Sequence, residues 1–68
     1  MPDIGDIYRH YKGNLYKVIG FAKHSESLED MIIYETLNGF KVWVRPKKMW
    51  DEEVEVDGKK VKRFRLQK

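Results

Sequence analysis

The chain contains no cysteine and only two prolines in 68 residues. The first absence excludes a disulfide framework, a thiol nucleophile and every thiolate metal site, so the fold must close by packing alone. No apolar run approaches the length of a membrane span, and the amino-terminal segment Pro2 to Asp6 lacks the basic flank and apolar stretch of a secretory signal. The cytoplasm is therefore the expected address, with no membrane partner. There is no glycine-rich phosphate loop, internal repeat or low-complexity tract. What is present is a balance of 41% hydrophobic and 37% charged residues, which suits a compact soluble domain rather than a disordered chain. The length allows one domain, 1–68, with a small core. The net charge of +3 is spread along the chain rather than gathered in a basic arm.

The local signals are those of strands. Asp6 to Lys12 alternates, with Tyr8 and His10 on one side and Ile7 and Arg9 on the other. Gly13-Asn14 supplies a turn, and Leu15 to His24 follows as a second strand, making residues 6–24 a hairpin. A two-residue turn there would set His10 opposite Lys17. Gly20 in mid-strand marks a bend or bulge. Ser25 to Asp30 is a polar connection into the strand Met31 to Leu37, and Asn38-Gly39 turns the chain into Phe40 to Arg45. Glu26 to Leu37 also has partly helical spacing, so a helix lying across a sheet is the competing structure. Pro46 to Asp51 suits a single 3-10 turn that begins at proline and offers Met49 and Trp50 to plug a barrel end. Asp57-Gly58 then joins Val54–Val56 to Lys60–Arg65, setting Glu55 opposite Lys60 and Glu53 opposite Lys62. Five or six short antiparallel strands joined by tight turns predict an all-β fold, specifically a small SH3-like barrel with one 3-10 turn near residues 46–51.

These residues resemble a bacterial family catalogued as domain of unknown function 1653. The resemblance rests on Gly5-Asp6-Ile7-Tyr8-Arg9-His10-Tyr11-Lys12-Gly13, Tyr16, His24-Ser25-Glu26-Ser27, Tyr34, Trp43-Val44-Arg45-Pro46, Gly58 and Arg63-Phe64. It covers nearly the whole chain, and the His-Ser-Glu and Trp-Val-Arg-Pro segments together are specific. The sequence departs from the family pattern at Ser27, where Thr is usual, at Trp50, where Phe is, and in a short turn at Asn38-Gly39. The resemblance implies a compact β-barrel and brings no established activity.

Function has to be sought in side chains. On the strand after Asn38-Gly39, Val42 and Val44 share one face, while Lys41, Trp43 and Arg45 share the other. If the valines point inward, Trp43 and Arg45 form an exposed pair that can hold an anion beside a flat ring. His24-Ser25-Glu26 has the residue types of a hydrolytic relay, but neighbours on an extended chain point to opposite faces, and no oxyanion loop accompanies them. The leading expectation is a non-catalytic binding module for a peptide or small anionic group, using His10, His24, Glu26, Trp43 and Arg45. An RNA- or DNA-binding barrel, with Lys47, Lys48, Arg63 and Arg65 on phosphates, is the alternative. A further alternative is an enzyme, or an accessory to one, with a His-Glu site. The spacing of His10, His24, Glu26 and Glu29 matches no metal motif, and no cofactor is implied.

Overall fold

The computed structural model describes residues 2–39 and 41–67. Phe40, expected to open the fourth strand, lies outside the described residues. The strands are β1 (Ile7–His10), β2 (Leu15–Lys23), β3 (Asp30–Thr36), β4 (Val42–Pro46), β5 (Glu53–Val56), β6 (Lys59–Lys62) and β7 (Phe64–Gln67), with a 3-10 turn at Lys47–Met49. The all-β expectation is met, and the competing helix does not form: most of its span is β3, antiparallel between β2 and β4. Five strands make one antiparallel sheet in the order β4-β3-β2-β1-β7, and β5-β6 is a separate hairpin.

The turn chemistry acts where it was expected. Asp57 and Gly58 both take positive φ, 52° and 78°, the requirement of a tight two-residue hairpin. The resulting register sets Glu53 opposite Lys62 and Glu55 opposite Lys60. The β2-β3 register slips between Val18 and Gly20, so the bulge sits beside the mid-strand glycine, where it was expected. Three expectations are corrected. The β1-β2 turn is longer than two residues: Ile7 pairs with Lys17, the His10 N–H donates to the Asn14 carbonyl, and His10 is therefore not opposite Lys17. Pro46 closes β4 rather than lying beyond it, which an edge strand permits because its missing N–H is not needed there. The run from Lys60 to Arg65 is two strands, not one, bringing the strands among the described residues to seven. Arg63 hands the chain over, its N–H donating to the Glu52 carbonyl and its own carbonyl accepting from Tyr11.

The inner face of the sheet carries Tyr8, Val18, Ile32, Tyr34 and Phe64, closed by Trp50 from just after the 3-10 turn. Trp50 stacks on Phe64 at 4.3 Å and meets Tyr8 and Tyr34 edge-on at 5.2 Å. Tyr34 and Phe64 stand on strands three steps apart, roughly 14 Å in a flat sheet, yet their ring centroids are 5.5 Å apart. The sheet therefore curls strongly round its aromatic centre. It does not close: β4 and β7 are not hydrogen-bonded, so the SH3-like barrel is open along that seam. Among the described residues no helix is long and apolar enough to cross a membrane.

Candidate functional site

The register of β4 decides which of its side chains face the core. Trp43 lies opposite Tyr34 and Arg45 opposite Ile32, and both of those partners are buried on the inner face. Trp43 and Arg45 therefore point inward, while Val42 and Val44 are 61% and 58% exposed on the outer face. The valines-inward arrangement is reversed, because the aromatic core selects the face and two small β-branched residues can be left outside it.

Although it faces inward, Trp43 stays 45% exposed. It walls a shallow groove of about 700 Å³ at the end of the sheet where the β1-β2 and β3-β4 turns lie. Tyr16, Leu37, Thr36, Asn14 and Lys41 share that groove. Tyr16 is held by the Tyr34 ring at 5.4 Å and Phe64 at 6.0 Å. Thr36 fixes the turn beside the groove, its hydroxyl donating to Asn38 Oδ1 at 2.6 Å and accepting the Lys41 N–H at 3.3 Å. Lys41 makes no ion pair with any described residue.

Arg45 lies deeper and has a second task. Its Nη2 donates to Glu52 Oε1 at 3.4 Å and its Nε to the Met49 carbonyl at 3.3 Å. Arg63 reaches the same Glu52 oxygen with Nη2 at 2.9 Å and Nε at 3.2 Å. Arg45 belongs to β4 and Arg63 to the residue before β7, so one carboxylate ties the two edges that backbone hydrogen bonds leave apart. One negative charge between two positive ones leaves this seam with an excess positive charge. The Arg45 guanidinium carbon also sits 5.9 Å from the Phe64 ring. Burial pushes the Tyr34 hydroxyl above its ordinary value, opposed by the guanidinium of Arg45 beside it.

His10 reaches the same neighbourhood through rings: Phe64 at 5.2 Å, Tyr11 at 4.6 Å and Tyr16 at 6.3 Å. Its Nδ1 accepts the Lys12 N–H at 3.2 Å. Burial, and then the charges of Arg63, Lys12 and Arg45, hold its pKa below the usual imidazole value.

The structure does not bring His24 and Glu26 to this place. They lie in the β2-β3 connection, where His24 Nδ1 accepts the N–H groups of Glu26 at 3.2 Å and Ser27 at 3.3 Å. The His24 carbonyl accepts from Leu28, which stands at φ 60°. This imidazole caps a tight turn, and its contact with Glu26 is to the backbone rather than to the carboxylate. Of the five residues expected at one site, Trp43, Arg45 and His10 adjoin one aromatic cluster while His24 and Glu26 stand apart. Of the four cations expected on nucleic acid, Lys48 pairs with Glu29 at 3.0 Å and Arg63 with Glu52, leaving Lys47 and Arg65 without an ion pair among the described residues. Sequence reasoning missed Tyr16 and Lys41 as groove residues, although Lys41 shares a strand face with Trp43 by simple alternation. It also missed Glu52, whose partners lie 7 and 11 residues away and carry no local signal.

Over residues 6–66 the chain matches the family described as protein of unknown function (DUF1653). It is similar to the crystal structure of a DUF1653 protein from Bordetella bronchiseptica, with 31% identity and a TM-score of 0.77, covering 91% of this chain and 83% of that one. No curated protein matches it.

Proposed function

The chain belongs to the DUF1653 family of proteins of unknown function, and from its geometry we propose that it is a non-catalytic binding module for a peptide or small ligand carrying an anionic group beside a flat or apolar part. The observation that carries this reading is Trp43, a tryptophan on the core-facing side of the sheet that remains 45% exposed. A large ring left uncovered on the inner face, with Tyr16 in the same groove, is the surface on which a planar or apolar group gains most from leaving water. Lys41 supplies a cation at the rim that no described acid neutralises, and the excess positive charge of the Arg45-Glu52-Arg63 seam supplies a field of the same sign behind it. His10 serves here as a ring against Phe64 and Tyr16 rather than as a base, because its Nδ1 is occupied by a backbone N–H.

Phenyl phosphate, inorganic phosphate and phenol separate the two halves of this recognition. In amide and indole NMR titrations, phenyl phosphate is expected to shift the Trp43 indole and the Lys41 amide and to saturate at lower concentration than either fragment. Trp43→Ala should abolish the phenyl phosphate response, and Lys41→Ala should reduce its affinity to that of phenol. No shift at Trp43 with any of the three probes would overturn the reading.

A further inference from the structure

Among the described residues five ion pairs account for Lys23, Arg45, Lys48, Lys62 and Arg63. The cations they leave over are not scattered evenly. Arg9 on β1 lies directly opposite Arg65 on β7, and both are exposed. Tyr8 and Phe64 face the core, so alternation sends Arg9 and Arg65 to the outer face. Lys17 on β2 joins them there, opposite Ile7. Where β2 pairs with β1, the remaining outward residues of the three strands are Ile7, Leu15 and Gln67, and farther along β2 come Ile19 and Ala22, so this part of the sheet holds three cations and no acid. The acids at its borders offset it only in part: Asp51 shares a shallow groove with Arg65 but pairs with Lys62 at 3.8 Å, and Glu35 lies across from Lys17 without closing an ion pair with it, so Arg9 and Arg65 carry most of the uncompensated charge. Like charges placed directly opposite one another weaken a sheet; Arg9 Nη1 donates to the Gly13 carbonyl at 3.0 Å, which leaves the rest of its guanidinium and that of Arg65 for an anion that would offset their repulsion.

We propose that the outer face of β2-β1-β7 binds the phosphodiester backbone of a nucleic-acid strand through Arg9, Arg65 and Lys17. Cross-strand neighbours stand about 5 Å apart and diagonal ones about 7–8 Å, so each long side chain can meet its own phosphate along one strand. Guanidinium forks suit phosphate oxygens in a bidentate manner. A membrane surface fits less well, since Ile7 and Leu15 are half-buried and no large apolar side chain projects between the cations for insertion. This surface is the opposite face of the sheet from the Trp43 groove, and neither proposal depends on the other.

Fluorescence anisotropy of a labelled twenty-nucleotide oligo(dT) and oligo(rU), read at several salt concentrations, tests it. The parent protein should bind with an affinity that falls steeply with salt. Arg9→Gln/Arg65→Gln should weaken binding at least tenfold and lower the log-log salt slope by about 1.4, roughly 0.7 for each single-strand phosphate that no longer meets a guanidinium. Its melting temperature should stay close to the parent's, because the relieved repulsion offsets the lost bond from Arg9 to the Gly13 carbonyl. Arg9→Lys/Arg65→Lys should keep most of the binding, and Lys59→Gln/Lys60→Gln on the hairpin should leave the slope unchanged. Binding by Arg9→Gln/Arg65→Gln with the parental slope would overturn the proposal. So would a weakening confined to the hairpin variant, or capture of polyglutamate or phosphatidylserine vesicles without capture of either oligonucleotide.

Discussion

The two tryptophans face the same interior and have opposite fates. Trp50 is 1% exposed, stacked flat on Phe64 and boxed edge-on by Tyr8 and Tyr34, whereas Trp43 keeps 45% of its surface. The curl of the sheet explains the difference. Where the 3-10 turn lies over the sheet, the inner face is roofed by Trp50 itself. Toward the β1-β2 and β3-β4 turns no described residue covers it, and Trp43 and Tyr16 are left walling a groove. One end of this interior is built for stability, and the other has apolar surface without the stability that covering it would bring.

The largest expected effect breaks the comparison at its buried end. Trp50→Ala should cost about 3–5 kcal/mol, which is most of the stability of a domain this small, roughly 0.05–0.15 kcal/mol per residue. Urea unfolding followed by far-UV circular dichroism should show a largely unfolded chain. Trp43→Ala should move the same curve by less than about 1 kcal/mol, as an exposed side chain does. Trp50→Phe sharpens the point. The indole Nε1 is buried without a hydrogen-bond partner, and the Tyr8 hydroxyl is near enough to feel it but not in bonding geometry. Phenylalanine would lose ring area and also remove that unmet donor, so the change should stay within about 1 kcal/mol of neutral.

A smaller effect probes the seam between the two ends. Glu52→Gln would leave Arg45 and Arg63 facing each other without the carboxylate that links them. Breaking such a partly buried pair costs about 1–3 kcal/mol, and the partial exposure of all three side chains puts the value toward the lower end. Native-state amide exchange should quicken in β4 more than in β1. Glu52→Gln and Arg63→Gln should be non-additive, because each removes the same interaction.

These contrasts also separate what was legible in the sequence from what was not. Signals carried by a few adjacent residues were readable: Asp57-Gly58 fixes a hairpin and its register, Gly20 marks the bulge, and Pro46 leads into the 3-10 turn. Facts settled by distant partners were not. Local hydrophobicity favours turning Val42 and Val44 inward, but pairing with Tyr34 and Ile32 turns Trp43 and Arg45 inward instead. The break at Arg63 follows from its bonds to Glu52 and Tyr11, neither adjacent in sequence. His24 and Glu26 looked like a polar pair because they are two residues apart, yet that closeness builds a turn. The groove is assembled instead from Tyr16 on β2, Trp43 on β4 and Lys41 just before β4.

The smallest expected effect concerns the aromatic cluster beneath the groove and depends on pH. His10 is packed against Tyr11, Tyr16 and Phe64 and faces the cations Arg63, Lys12 and Arg45, so its folded-state pKa lies below the unfolded value near 6.5. A base with a lowered pKa takes up its proton more readily when unfolded. Its contribution is therefore complete above pH 6.5 and is lost as pH falls through the lowered value. Protonation also converts Nδ1 from acceptor to donor and breaks its bond from the Lys12 N–H, loosening the turn that forms one side of the groove. The urea midpoint should decline between neutral and mildly acidic pH, and His10→Gln should flatten that part of the profile. A parent profile that rises with acid over this interval, or a His10→Gln profile as steep as the parent's, would mean that the imidazole is not held neutral by its surroundings. Phenyl phosphate in the groove would add a negative charge near His10, raise its pKa and reduce the decline, which couples the groove to the ring cluster below it.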